Sequence, residues 1–88
     1  MHRKYGGIVI TGSQIRAARG LLNWSAVELA ERVSMSRNTI NRLETHDDIP
    51  PSRSQSLIEI RQCLEDAGVE FIEANKEGGP GVRLRQAP

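Results

Sequence analysis

The strongest constraint on the fold of this chain is segment 25–44, which reads as two short helices separated by a tight turn. Ser25, followed three residues later by Glu28, has the spacing of a capping box, in which each side chain satisfies a backbone N–H at a helix start. Ser36 is a residue type that caps the start of the next helix. Only Ser34-Met35 separates the two helical patterns, so the sequence predicts a helix, a short turn and a second helix.

Apolar residues recur in both helices at amphipathic spacing, so each helix is predicted to bury one face. These residues are Val27, Leu29, Ala30, Val33, Ile40 and Leu43. The other face of the second helix carries guanidinium and amide groups, which hydrogen-bond base edges and phosphates. They belong to Arg37, Asn38, Asn41 and Arg42. This pattern predicts that the second helix faces a nucleic acid.

Further helices are predicted on both sides of this pair. Thr11 with Gln14 forms another capping box and predicts a helix over about residues 12–22. A fourth helix is predicted over about 54–67, with Gly68 as its C-terminal stop. The expected fold is therefore mainly α, with four helices.

The hydrophobic period then changes, and two short alternating segments predict strands at 69–72 and 82–85. The connection between them is rich in Gly, Asn and Pro, as in a hairpin loop. We therefore divide the chain into an N-terminal arm over 1–10, a helical domain over 11–68, and a β-hairpin with a tail over 69–88. The arm contains Ile8-Val9-Ile10, a candidate short strand.

Composition argues against several classes of protein. The chain has 88 residues and a net charge of +1, with one cysteine, Cys63, and two histidines. It lacks an apolar run of about 18 residues for a membrane span, and its N-terminus does not resemble a secretory signal. Neither zinc-ligand spacing nor a catalytic set is visible. We therefore expect a cytoplasmic protein that is not an enzyme and has no metal site or cofactor.

The charge is unevenly distributed along the chain. Residues 1–46 hold seven basic and three acidic side chains, or +4, whereas residues 47–88 hold five basic and eight acidic, or −3. The half that contains the helix pair is therefore the electropositive half, as expected for contact with phosphates.

In detail, the helix pair resembles the Xre family of bacterial and phage regulators, which includes the lambda-repressor and Cro-like proteins. The matching residues are Leu29-Ala30, Ser36, Thr39-Ile40 and Leu43-Glu44, with QIRAAR at 14–19 and LNWS at 22–25. The resemblance covers about residues 11–68 and implies a four-helix, lambda-repressor-like DNA-binding domain. It also implies a bacterial or phage protein that associates with the nucleoid when bound to DNA.

Two positions depart from the family pattern. Ser34 occupies a turn position where the family usually has Gly, which accepts a positive φ more readily than Ser does. Ala26 stands where the family often has a Gln that contacts phosphate. The resemblance further implies that Arg19 and Glu44 form a structural ion pair, which holds the second helix of the pair against the first helix of the domain.

The resemblance and the side-chain chemistry together predict the DNA-contacting residues. We assign Ser25, Ser36, Arg37, Asn38, Thr39, Asn41 and Arg42. For Arg37, Asn38, Asn41 and Arg42 the alternative interpretation is an exposed polar helix surface. For the three hydroxyl residues it is helix capping, although a capping serine can also donate to a phosphate.

The expected function is a dimeric transcriptional repressor that reads an inverted-repeat operator in double-stranded DNA. The C-terminal strands are predicted to mediate dimerisation, because exposed strand edges are templates for pairing. The residues assigned to this contact are Val69, Phe71, Ile72, Val82 and Leu84. The strands could instead pack on the helices or pair with the N-terminal arm. Two other functions stay open, a DNA-binding antitoxin with a basic toxin partner and a protein-interaction module that does not bind DNA.

Overall fold

The computed structural model describes residues 10–47 and 54–86, and these form four helices followed by a two-stranded antiparallel sheet. The elements are α1 (Gly12–Leu22), α2 (Ala26–Arg32), α3 (Arg37–Glu44), α4 (Ser54–Asp66), β1 (Val69–Ile72) and β2 (Gly81–Leu84). The predicted mainly helical fold with a C-terminal hairpin is confirmed, and the boundaries agree within one residue. Most of the predicted N-terminal arm lies outside the described residues.

The starts of α1 and α2 are stabilised by their N-cap side chains. Gln14 N–H donates to the Thr11 hydroxyl at 3.0 Å and its side-chain oxygen accepts from Thr11 N–H at 2.9 Å, so this capping box is complete. Ser25 accepts from Glu28 N–H at 3.0 Å. The Glu28 carboxylate instead binds the Arg32 guanidinium at 2.8 Å. The predicted capping box at α2 therefore forms only in half, because an i,i+4 ion pair engages the acid.

The turn between α2 and α3 has the left-handed residue that the family resemblance implies. Ser34 has φ of 57°, and Met35 N–H donates to the Ala30 carbonyl at 2.9 Å. A left-handed residue reverses the chain and satisfies carbonyls at the end of a helix. This reversal ends α2 and separates it from α3, which begins at Arg37.

The core lies between the helices and one face of the sheet. Its fully buried large side chains come from all four helices, from β1 and from the segment before α1, namely Ile10, Ile15, Leu29, Ile40, Leu43, Ile60, Leu64 and Val69. Val27 is 42% exposed, so its predicted burial is wrong. It falls outside the stripe of α2 formed by Leu29, Ala30 and Val33, since its position on the helix is turned to one side of them.

The hairpin packs on α1 and α4 through one face. Val69 pairs with Leu84 and Phe71 with Val82, and directly opposed residues of a sheet lie on the same face. Val69 and Phe71 are buried and their partners are half-buried, so this face covers the helices. Gln14 Nε2 donates to the Gly81 carbonyl at 3.0 Å and attaches the sheet to α1.

The strands pack on the helices of the same protomer, which is one of the arrangements expected from the sequence. Val69 and Phe71 belong to the core of the protomer, and Val82 and Leu84 share their face. Of the five residues assigned to dimerisation, only Ile72 lies on the outer face of the hairpin, and it is 36% exposed. A two-stranded sheet needs an apolar cover to be stable, and α1 and α4 of the same protomer supply it. The apolar face of the hairpin is therefore covered within the protomer, and pairing through a strand edge with a second subunit stays a prediction.

The tip of the hairpin extends away from the core. All residues from 73 to 80 are exposed. The Asn75 side-chain oxygen accepts from the N–H groups of Glu77 and Gly78 at 2.8 and 3.1 Å, and Asn75 and Gly78 also form a backbone bridge. Hydrogen bonds within the tip thus contribute to its order.

Candidate nucleic-acid interface

The helix α3 carries the exposed polar face on which a nucleic-acid interface depends. Ile40, Leu43 and Glu44 face the interior. Arg37, Asn38, Asn41 and Arg42 are exposed, and Thr39 is half-buried. The amphipathic pattern therefore places the guanidinium and amide groups on the solvent side of one short helix. We call α3 the recognition helix below.

The predicted hydroxyl residues act as caps in the structure. Ser36 accepts from Thr39 N–H at 3.0 Å, and the two hydroxyl oxygens lie 2.9 Å apart. Ser25 caps α2, as described above, and both serines are exposed. Because each cap lies at a helix N-terminus, where partial positive charge accumulates, their positions suit a phosphate oxygen. The predicted phosphate contacts themselves stay predictions.

Arg19 and Glu44 meet in a two-pronged ion pair between α1 and the end of the recognition helix. Arg19 Nε and Nη2 lie 2.7 Å from the two carboxylate oxygens of Glu44. A third donor, Nη1, binds the Trp24 carbonyl at 2.9 Å. The Glu44 side chain is only 6% exposed and that of Arg19 is 22% exposed. The hydrogen bonds to Glu44 raise the pKa of Arg19 above its ordinary value, although burial acts against this shift.

A second contact between α1 and the recognition helix was not predicted. Arg16 Nη1 donates to the backbone carbonyl of Glu44, and Nη2 lies 3.2 Å from both Ser13 Oγ and Asp47 Oδ1. Ser13 Oγ also donates to Asp47 Oδ1 at 3.2 Å. Hydrogen bonds from Arg16 and then Ser13 lower the pKa of Asp47 below its ordinary value. We refer to Ser13, Arg16 and Asp47 as the Arg16 network.

The Asp47 carboxylate is directed toward the Arg16 guanidinium, which neutralises its charge locally. The sequence feature that could have predicted this contact is the spacing of Arg16 and Arg19, because residues three apart share one face of a helix. Both arginines therefore reach the same end of the recognition helix.

The two helices approach closely at the start of α1. A Cβ atom added at Gly12 would overlap the backbone carbonyl oxygens of Leu43 and His46. Only a residue without a side chain allows α1 to lie this near to the C-terminus of the recognition helix.

The rest of the described chain shows little that resembles a reaction centre. Within residues 10–47 and 54–86, no three His, Cys, Asp or Glu side chains are grouped as metal ligands. Burial raises the pKa of the Cys63 thiol, which is the opposite of the shift that activates a nucleophilic cysteine. None of the helices in these ranges is long and apolar enough to span a bilayer.

Comparison with known proteins agrees with this geometry. A family model described as helix-turn-helix matches residues 15–59, which is just over half of the chain. The match includes α2, the turn and the recognition helix. A search of curated proteins found no match. With its capped helix pair, left-handed turn and exposed polar helix, the chain belongs to the helix-turn-helix family of Xre and lambda-repressor-like DNA-binding regulators.

Proposed function

We propose that this protein is a sequence-specific regulator of transcription that inserts α3 into the major groove of double-stranded DNA. The observation that carries the proposal is the exposed face of Arg37, Asn38, Asn41 and Arg42 on a helix whose opposite side is fixed in the core. A protein-interaction module would be expected to present apolar residues there. We further propose that it represses by occupying a promoter, in the cytoplasm and beside the nucleoid.

The chemistry of this face suggests how bases are read. In helix-turn-helix proteins the first turn of the recognition helix contacts base edges, and Arg37 and Asn38 begin α3. Arginine forms a bidentate pair with guanine O6 and N7, and asparagine with adenine N6 and N7. Asn41 and Arg42 lie one turn further along and extend the contact to neighbouring bases or phosphates. Ser25, Ser36 and Thr39 complete it at the phosphate backbone.

We propose that two copies bind together, so that two recognition helices enter successive major grooves about 34–36 Å apart. Such a dimer reads an inverted repeat.

The outer edge of β2 is the favoured contact between the two copies. Arg85 N–H donates to the Gly68 carbonyl at 2.8 Å. By antiparallel alternation, the N–H groups of Val82 and Leu84 then point away from β1. Pairing of β2 with β2 of a second copy would extend the sheet and cover these half-buried side chains.

Selection of duplexes from a random pool at stated salt tests the DNA proposal. An inverted repeat with half-site centres one helical turn apart is the expected product. Arg37→Ala should relax the preference at one base pair of each half-site, at a cost of about 1–3 kcal/mol. Arg32→Ala removes the same charge from α2 and is the matched control. If Arg37→Ala lowers affinity equally for all sequences, Arg37 contacts a phosphate instead. If no sequence is enriched by the selection, the proposed function is contradicted.

Sedimentation tests the dimer contact separately. Val82→Pro removes an outward N–H without removing a hydrogen bond to β1, so it should yield folded monomers. Arg83→Pro is the control, because its N–H points toward β1 and its loss should disrupt the hairpin itself. A folded Val82→Pro dimer would place the interface elsewhere.

A further inference from the structure

We infer that Arg16 is a positioning residue that fixes the orientation of the recognition helix by capping its C-terminal end. This inference rests on the proposed function, because it concerns how the same helix reads DNA. Arg16 lies on α1, and it contributes nothing to the exposed face of Arg37, Asn38, Asn41 and Arg42.

The contacts of Arg16 converge on the last residue of the recognition helix and on the segment that follows. Its Nη1 donates to the Glu44 carbonyl, one of the four at a helix C-terminus that lack an intrahelical partner. Its Nη2 binds Asp47, which Ser13 also contacts through two hydrogen bonds, to Oδ1 at 3.2 Å and to the backbone carbonyl at 3.4 Å. The Arg16 network therefore joins the first turn of α1 to residues 44 and 47.

Arg16 and Arg19 hold the same residue in different ways. Arg19 binds the Glu44 carboxylate, whereas Arg16 binds the Glu44 backbone. A side-chain contact alone leaves the peptide free to turn about the side-chain bonds, and a backbone contact removes that freedom. Because α3 has only eight residues, it depends on external contacts to keep its structure and direction. Arg16 supplies the contact that fixes the end of the helix axis.

A direct phosphate contact is the competing role for this arginine. The geometry disfavours it, because the Asp47 carboxylate lies 3.2 Å from Nη2 and would repel a phosphate at that site. The two roles also make opposite predictions for Asp47. If Arg16 contacts phosphate, removing the acid strengthens DNA binding. If Arg16 positions the helix, removing the acid weakens discrimination between sequences.

The experiment uses Arg16→Ala, Arg16→Lys and Asp47→Asn in the full chain. Arg32→Ala is the control, because Arg32 is 49% exposed against 44% for Arg16 and also forms one ion pair with an acid. Affinities for the selected duplex and for a scrambled duplex are measured over a range of salt. We expect Arg16→Ala and Asp47→Asn each to reduce the ratio of the two affinities about three- to tenfold. Arg16→Lys keeps the charge but loses the planar set of guanidinium donors, so it should restore the ratio of affinities only in part.

The salt dependence and the free protein decide the outcome. A positioning role leaves the salt slope and the scrambled-duplex affinity of Arg16→Ala unchanged. A phosphate contact would instead reduce the slope of log binding constant against log salt concentration by about 0.9 in Arg16→Ala, with an equal loss of affinity on both duplexes. It would also make Asp47→Asn bind DNA more tightly. These results would overturn the inference. Amide exchange at Thr45 and His46 should accelerate in Arg16→Ala but not in Arg32→Ala. The exchange measurement needs no DNA, so an unchanged exchange rate contradicts the inference even if the protein binds no duplex. Absence of binding to every duplex contradicts only the proposed function.

Discussion

Replacement of Arg19 by alanine should destabilise the domain severely. The change leaves the Glu44 carboxylate, which is 6% exposed, without the two 2.7 Å hydrogen bonds that compensate its burial. It also removes the donor to the Trp24 carbonyl. Removing one partner of a buried ion pair lowers the free energy of unfolding by about 3–5 kcal/mol. Because Arg19 is partly exposed, we expect a loss at the lower end of this range, about 3 kcal/mol. For a domain of this size that corresponds to a fall in Tm of roughly 12–24 °C.

Thermal unfolding followed by circular dichroism measures this effect, and a double-mutant cycle isolates its cause. Glu44→Gln removes the stranded charge, so Arg19→Ala combined with Glu44→Gln should be less destabilised than the sum of the single changes. Arg83→Ala is the control, because the pair of Arg83 and Glu70 is exposed on both sides and should affect Tm little. If Arg19→Ala shifts Tm no more than Arg83→Ala, or if the cycle shows no coupling, the burial argument is refuted.

Three further predictions concern stability. In thermal unfolding, Gly12→Ala should destabilise by about 1–3 kcal/mol through overlap with backbone, whereas Gly20→Ala, with open space around it, should stabilise by about 0.5–1 kcal/mol. Ser34→Gly should raise the free energy of unfolding by about 1 kcal/mol, because it relieves a left-handed backbone; an unchanged value in urea titration would contradict this. Arginine partners lower the pKa values of Asp47 and Glu70 from 3.8 and 4.5, so their stabilisation is present above those values and is lost as pH falls below them. Asp47→Asn with Glu70→Gln should therefore flatten stability against pH in that acidic range.

The sequence predicts the helices well because their signals are local. The N-caps at Thr11, Ser25 and Ser36 each depend on neighbouring residues, and all three form. The left-handed residue at Ser34 was implied by the family resemblance and is also present. The resemblance to a known family also implied the meeting of Arg19 and Glu44, which are far apart in the sequence.

Contacts that depend on three-dimensional packing were harder to predict. Packing of the hairpin on α1 and α4 was only one of several alternatives, because alternation shows which residues share a face but not what covers it. The Arg16 network depends on where the chain passes after the recognition helix, and no local pattern encodes that path. The predicted reciprocal bond of Glu28 failed for a related reason, since Arg32 competes for the same carboxylate one turn later.

The exposed tip of the hairpin gives this protein a place to change length at low cost. Residues 73–80 are exposed, and the Asn75 side chain orders the turn through its bonds to Glu77 and Gly78. Doubling the length of such a connection costs only about 0.6 kcal/mol in closure entropy. Related chains can therefore differ in length here while keeping the same core, and a peptide tag or fluorophore attached at Lys76 would report on the protein without disturbing α3.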